Sequence, residues 1–162
     1  ITPHLAPWLR HFKGLHGYDG KEPYRKIVVL RPGAKSRRLT NSDELLLALK
    51  GWETVVLENM TIREQMKTFA ESTHIVAAHG AGLVNLLWCK AGTKVIEIQD
   101  TKMIHKKVYP ILSHHLGLKH ELYLADTVPI KLEDGKKPKG IKRISDLINF
   151  KIDIPDLLKY LD

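Results

Sequence analysis

The chain has 162 residues, with 26 Lys and Arg against 18 Asp and Glu, a net charge of +8 and 43% hydrophobic residues. At this length folding buries roughly 68–70% of the surface of the unfolded chain, so we expect a single domain, spanning 1–162, with a real core. Cys89 is the only cysteine, which excludes an internal disulfide and a zinc site built from thiolates. No apolar run reaches the ~18–20 residues of a membrane span, so no membrane segment is expected. The first residues resemble neither a start methionine nor a signal peptide, and we expect a piece of a longer protein.

The positive charge is concentrated in two segments. Residues 25–38 hold six basic and no acidic residues, and residues 131–143 hold six basic and two acidic residues. Such a local excess favours an anionic partner such as a phosphate over a sequence-independent grip on DNA. The alternative is a solvated surface, especially in the second segment, which is rich in turn residues. We assign 125–148 to a basic loop and 1–24 to a leading helix or linker.

Six short, mainly apolar runs predict the strands, because they are rich in β-branched residues and are separated by helix-sized segments. The runs are 27–30, 54–57, 74–77, 94–98, 122–124 and 150–152. Continuous apolar strands that alternate with amphipathic helices are typical of a parallel sheet covered on both faces. The sequence therefore predicts a doubly wound, mostly parallel, Rossmann-like α/β domain.

Local signals place the helices between these strands. We expect helices to begin at Asn41 or Ser42, at Thr61, after the glycine turn that ends at Gly82, near Pro110 and near Asp153. Thr61 and Glu64 form a capping-box pattern, in which each side chain bonds a free backbone N–H of the other residue. Pro110 either kinks its helix or marks where it starts.

Ligands of such sheets bind outside the carboxyl ends of the strands, so the residues that follow the strands are the candidates for a site. They include Arg31, Arg37 and Arg38 after the first strand, Asn59 after the second, His79 to Gly82 after the third, and Glu97 with Gln99 at the end of the fourth. A guanidinium suits phosphate, although solvated loop charge is the alternative for the arginines. A buried carboxylate at Glu97 needs a partner, either a ribose diol or an ion pair or helix N-cap.

The segment His79-Gly80-Ala81-Gly82 follows a buried strand and opens a helix, where backbone N–H groups and the helix dipole converge on an anion. Gly80 and Gly82 would let phosphate oxygens approach the backbone. The alternative is a tight turn that needs glycine only for packing. The third glycine of the dinucleotide fingerprint is missing, which disfavours NAD. No Asp-x-Asp occurs and no histidines have the spacing of a metal site, so neither a metal nor another cofactor is expected.

The glycine motif belongs to a wider pattern. It is preceded by Thr-His-Ile-Val at 73–76 and followed by Ala-Gly-Thr-Lys-Val-Ile-Glu-Ile at 91–98; upstream lie Arg31, Arg37, Asn-Ser-Asp-Glu-Leu at 41–45 and Thr-Ile-Arg-Glu-Gln at 61–65. This combination, over roughly 26–117, resembles the family 61 glycosyltransferases. The resemblance implies a GT-B architecture of two facing Rossmann-like domains, the C-terminal one binding a nucleotide-sugar donor, with metal-independent transfer and inversion at the anomeric carbon.

From the resemblance we expect this chain to be the donor-binding half, with a UDP-sugar as donor and a glycan or protein as acceptor. The acceptor-binding domain should precede Ile1, and the catalytic base may lie there, so the chain alone should transfer no sugar. The diphosphate would lie on the amides of Gly80 to Gly82, with Arg31 and either Arg37 or Arg38 neutralising its charge, Glu97 holding the ribose and His79 contacting phosphate or sugar. His79 is the one candidate for a catalytic group within the chain.

An alternative is a non-catalytic Rossmann-fold module that uses its basic loops to bind nucleic acid or a protein partner. Single-strand binders interleave aromatic and basic residues, and neither basic segment contains an aromatic residue, so nucleic acid is not expected. The sequence leaves the compartment open: the cytoplasm for a bacterial or viral protein, the secretory-pathway lumen for a eukaryotic one.

Overall fold

The computed structural model of the protein describes residues 7, 8, 11, 22–101, 107–130 and 148–161. The strands are β1 (Arg25–Leu30), β2 (Glu53–Val56), β3 (Ser72–Ala78), β4 (Lys94–Gln99), β5 (Lys119–Leu124), β6 (Asp126–Pro129) and β7 (Ile148–Lys151). The helices are α1 (Ser42–Ala48), α2 (Ile62–Ala70), α3 (Val108–Leu116) and α4 (Ile154–Leu158), with 3-10 helices at Leu57–Asn59 and Ala81–Trp88. Most of the expected leading segment 1–24 and of the expected basic loop 125–148 lies outside the described residues.

Strands β1 to β5 form one parallel sheet in the order β2-β1-β3-β4-β5. The predicted doubly wound α/β fold is thereby confirmed. The chain leaves β1 toward β2 on one side and returns as β3 on the other, so the order reverses between β1 and β3. Residue pairs such as Val29 with Ala77 and Ala77 with Glu97 are in register, which brings the carboxyl ends of β1, β3 and β4 to one edge. That edge, beside the reversal, is where sheets of this class bind ligands.

Side chains alternate across the sheet and build one core on each face. The first core contains Ile27, Val29, Ile75 and Val95, packed with Phe69 of α2, Leu86 of the second 3-10 helix and Leu112 of α3. The second contains Val28, Val76 and Ile96, packed with Leu45 of α1, Phe150 of β7 and Leu157 of α4. Both faces are therefore covered, which explains why the strands read as continuous apolar runs. In the described part of the chain, no helix has the length and apolar character needed to cross a membrane.

The starts of α2 and α4 are capped by the predicted side chains, whereas Asn41 before α1 makes no side-chain capping bond. At α2 the Glu64 backbone N–H donates to Thr61 Oγ1 at 3.3 Å, and the Thr61 N–H donates to Glu64 Oε2 at 2.7 Å, which confirms the capping box. At α4 the Asp156 N–H donates to Asp153 Oδ1 at 3.0 Å. Helix α3 begins at Val108 and contains Pro110 in its first turn, the place where a proline fits an α-helix.

The helix predicted after the glycine turn is a 3-10 helix, Ala81–Trp88. The Asn85 side-chain amide donates to the Gly82 carbonyl at 3.2 Å, an acceptor that α-helical geometry would assign to the Leu86 N–H. A side chain that takes a backbone acceptor in this way competes with α-helix formation.

The sequence analysis missed β6, which pairs antiparallel with β7 in a separate two-stranded sheet. The predicted sixth strand, 150–152, therefore exists as β7 over Ile148–Lys151 but lies outside the parallel sheet. Its role is to hold the loop that follows β1, as described next.

Candidate functional site

The segment between β1 and α1, residues 31–40, is called the arginine loop below. Its backbone is tied to β7, because the Phe150 N–H donates to the Arg38 carbonyl at 2.8 Å and the Thr40 N–H donates to the Phe150 carbonyl at 2.8 Å. The Asn149 side chain accepts a further bond from the Arg38 N–H at 3.1 Å. These hydrogen bonds hold the backbone of the arginine loop against β7.

Of Arg37 and Arg38, Arg37 is the one whose side chain contacts the glycine motif. Its guanidinium Nη1 donates to the His79 carbonyl oxygen at 3.1 Å, and its backbone N–H donates to the Ile148 carbonyl at 2.6 Å. Its φ of 61° lies in the left-handed region, which a non-glycine residue adopts at a cost and only when its surroundings hold it there. Arg38 is exposed and lines a cleft of about 380 Å³ together with Arg31 and Asn149.

Arg31 places its guanidinium at the point where β1 and β3 end. Its Nη1 is buried and has no hydrogen-bond partner among the described residues. That atom lies 3.1 Å from the position that a Cβ on Gly80 would occupy, so the guanidinium rests directly against the glycine turn. A buried N–H without an acceptor costs about 1–3 kcal/mol, and native proteins leave few such groups unpaired. The geometry therefore calls for an acceptor, and an anion meets that need.

The two glycines of the motif have different neighbours. Gly80 has extended backbone, with φ 174°, which any residue can adopt, and the space beside it is limited by the Arg31 guanidinium. At Gly82 a Cβ would fall 2.6 Å from Leu57 Cδ1, which is closer than real Cβ atoms approach. A side chain at Gly82 would therefore require the end of the half-buried Leu57 side chain to shift.

A cleft of about 510 Å³ opens beside the motif, between β1, β3, α2 and the second 3-10 helix. Its lining combines the charge of Arg31 and the backbone of Gly80, Ala81 and Gly82 with apolar side chains such as Phe69. The rim is fixed by Gln65, whose Oε1 accepts from the Asn85 amide at 2.9 Å and whose Nε2 donates to the Leu57 carbonyl at 3.0 Å. A pocket with apolar walls and a few polar groups at one end is typical of a small-molecule site.

Glu97 lies beside the motif on β4, fully buried, with both oxygens occupied. Oε1 pairs with His79 Nδ1, and Oε2 with His120 Nε2 at 2.9 Å. Burial alone would raise the pKa of this carboxyl, but the hydrogen bonds from His120 and His79 outweigh it and hold the pKa below its ordinary value. The Gln99 side chain also lowers that pKa, although neither of its polar atoms makes a hydrogen bond of normal geometry with the described residues.

The buried network extends past Glu97. Ser113 Oγ lies 2.7 Å from His120 Nδ1, and the Tyr109 ring packs edge-on against His79 with 5.4 Å between ring centroids. Burial raises the pKa of Tyr109, and so does the charge of Glu97, whereas the charge of Arg37 opposes the rise. The charges of Glu97 and Arg37 thus both act on the pKa of Tyr109.

The structure brings most of the predicted site residues to one edge of the sheet. Arg31, Arg37, His79, Gly80 and Glu97 are linked by direct contacts, Ala81 and Gly82 line the larger cleft, and Arg38 lies in the smaller one. Their ligands remain predictions. A ribose contact at Glu97 would require one carboxylate oxygen to leave its histidine.

Sequence reasoning missed His120, Ser113 and Tyr109. One signal was available: Leu122 is in register with Glu97, and His120, two residues earlier, lies on the same face of β5. The predicted strand began only at 122, which hid this relation. Across the described residues, no three His, Cys, Asp or Glu side chains form a group that could hold a metal ion.

The five-stranded parallel sheet reverses its order beside the glycine turn, where Arg31 Nη1 has no hydrogen-bond partner among the described residues. These features define the class of the protein: a doubly wound α/β domain with an edge suited to an anion. Residues 3–96 match the model of the family described as Glycosyltransferase 61, more than half of the chain. The chain therefore belongs to the glycosyltransferase 61 family, which confirms the resemblance seen in the sequence.

The chain is also similar to a curated protein, the beta-1,2-xylosyltransferase RCN11 of Oryza sativa subsp. japonica. The two are 28% identical over an alignment of 127 residues. The alignment covers 72% of this chain and 21% of the relative. The match thus spans about a fifth of the length of that relative.

Proposed function

We propose that this chain is the donor-binding part of a glycosyltransferase and that it binds a nucleotide sugar through its diphosphate. The observation that carries the proposal is the buried Arg31 Nη1 beside Gly80, at the carboxyl ends of β1 and β3, which has no acceptor in the part of the chain that the structure describes. A diphosphate oxygen supplies the acceptor that this N–H lacks. Membership in the glycosyltransferase 61 family supports the same reading.

The two arginines act on the charge of the leaving group. When the bond from the sugar to the diphosphate breaks, negative charge grows on the diphosphate, and fixed cations aimed at it stabilise the transition state by several kcal/mol. Arg31 provides a guanidinium nitrogen, Nη1, that has no other partner among the described residues, and Arg37, held on the His79 carbonyl, extends the positive edge. Charge-assisted bonds from guanidinium to phosphate are among the stronger ones in proteins.

The donor is a UDP-sugar in this proposal, and the name of the rice relative makes UDP-xylose the first donor to test. The anomeric carbon reacts in a cleft between this domain and a second, acceptor-binding domain, as in a GT-B enzyme. An acceptor hydroxyl of a glycan or protein attacks that carbon with inversion and without a metal. Orientation of two reactants is worth roughly 7–11 kcal/mol of a barrier, so the chain alone should transfer no sugar.

Calorimetric titration of the chain with UDP, UMP and uridine tests this function. We expect UDP to bind more tightly than UMP, uridine to bind weakly, and EDTA to change none of the affinities. A single-stranded oligonucleotide titrated at two salt concentrations covers the alternative of a nucleic-acid module, for which affinity falls steeply with salt. Tight, salt-dependent oligonucleotide binding together with no UDP binding would overturn the proposal.

A further inference from the structure

Four side chains form a continuous hydrogen-bonded chain beneath the glycine motif. Ser113 bonds His120, His120 bonds Glu97, and Glu97 bonds His79. Ser113 and Glu97 have no exposed surface, and the His120 side chain is 5% exposed. The His79 side chain, at the end of β3, keeps 9% of its surface exposed, so the chain starts in the core and ends at the site.

The carboxylate of Glu97 determines which of the neighbouring ring nitrogens carry hydrogen. The lowered pKa of Glu97 keeps it a carboxylate, and a carboxylate only accepts hydrogen bonds. Both ring nitrogens that face it, His120 Nε2 and His79 Nδ1, must therefore carry hydrogen. Ser113 Oγ is the partner of the other His120 nitrogen, Nδ1. A neutral His79 with hydrogen on Nδ1 has a free lone pair on Nε2.

Nothing in the described structure uses that lone pair. His79 Nε2 makes no hydrogen bond with any described residue, whereas the ring is fixed by the edge of Tyr109 and the backbone carbonyl by Arg37. The charged and titratable groups around the ring are Glu97 from β4, Tyr109 from α3 and Arg37 from the arginine loop.

We propose that His79 Nε2 accepts a hydrogen bond from a hydroxyl of the donor sugar, and that His120 and Ser113 are positioning residues that hold His79 in this tautomer through Glu97. The proposal rests on the proposed function and deepens it, because it makes His79 a determinant of sugar recognition. An unprotonated nitrogen repels phosphate oxygens, which are acceptors too, so the partner must be a donor, and the sugar hydroxyls are the donors nearest the diphosphate. Phosphate binding is left to Arg31 and the backbone.

Two variants separate the roles. In His79→Asn the side-chain amide occupies the place of Nδ1 and still donates to Glu97, while Nε2 is gone. We expect UDP to bind with unchanged affinity and UDP-xylose, or the best of a panel of UDP-sugars, to lose roughly three- to tenfold, the value of one ordinary hydrogen bond. Equal losses for UDP and UDP-sugar would mean that His79 contacts phosphate and would overturn the proposal. So would a parent protein that binds no UDP-sugar more tightly than UDP.

The positioning role is tested by a matched pair at His120. The amide of His120→Gln takes the place of Nε2 and still donates to Glu97, whereas that of His120→Asn takes the place of Nδ1 and does not. Nitrogen NMR of the His79 ring should show hydrogen on Nδ1 in the parent and in His120→Gln, and a tautomer ratio shifted about tenfold in His120→Asn. If His120→Asn fails to fold, Ser113→Ala serves in its place. A His79 ring that is unaffected by these changes, or doubly protonated, contradicts the proposal, while lack of UDP binding in the parent overturns the proposed function itself.

Discussion

Replacing Arg31 by methionine should make the protein more stable and, at the same time, a poorer nucleotide binder. The change removes the charge and keeps a side chain of similar length. In the free protein it deletes a buried N–H that has no acceptor among the described residues. Because Arg31 is only half-buried, we take the lower end of the cost of an unpaired group, about 1 kcal/mol, which corresponds to a rise in Tm of roughly 2–4 °C for a chain of this size.

The same change removes a charge-assisted bond to the diphosphate. Such bonds are worth about 1.5–3 kcal/mol, so UDP affinity should fall roughly 10- to 150-fold. Uridine, which carries no charge, should lose less than about twofold. Calorimetry with both ligands and thermal unfolding of the free protein measure the two effects on the same samples.

Arg63→Met is the matched control, because Arg63 is exposed on α2 and lines neither cleft. It should change UDP affinity by less than about twofold. If Arg31→Met lowers the stability and leaves UDP affinity intact, Arg31 supports the fold and the reasoning from its unpaired nitrogen is refuted.

Three further changes test the surroundings of the site. Gly82→Ala should cost less than about 1 kcal/mol of unfolding free energy, because its Cβ meets only the end of the flexible, half-buried Leu57 side chain, and a larger loss in a urea titration would contradict that packing. Glu97→Gln should flatten the pH dependence of stability: since folding lowers the pKa of Glu97, the carboxylate stabilises the fold fully above its ordinary pKa of 4.5 and loses this effect as the pH falls through the folded value, so parent and variant should converge in acid. Thr61→Ala should cost about 1 kcal/mol in the same titration and Thr61→Ser much less, and equal losses would argue against the cap.

The sheet could be predicted because each strand carries its own signal. Parallel strands buried on both faces need apolar residues at every position, and a run such as 27–30 records this requirement locally. Once the strands are known, the rule that their carboxyl ends share an edge brings Arg31, His79 and Glu97 together without any knowledge of tertiary contacts. This much of the candidate site follows from sequence.

Contacts between distant elements could not be predicted. Strand β6 is mostly exposed and begins two residues after the end of β5, so no apolar run marks it. The choice between Arg37 and Arg38 depends on bonds to β7, about 110 residues further along the chain. The partnership of Glu97 with His120 depends on the register of β5 against β4; the alternation along β5 places His120 and Leu122 on one face but does not determine that register.

The dependence of the arginine loop on β7 has a consequence for the order in which the site is assembled. Thr40 and Arg38 are made about 110 residues before their partners at Asn149 and Phe150. Closing so long a loop is slow, and domains made on the ribosome acquire such contacts only after the late segment has emerged. Arg37 has its left-handed conformation in contact with β7, where the Ile148 carbonyl accepts its N–H. A nascent chain that stops before β7 should therefore lack an ordered anion site, and also the part of the second core that Phe150 supplies, and it should bind its ligand only after β7 has emerged.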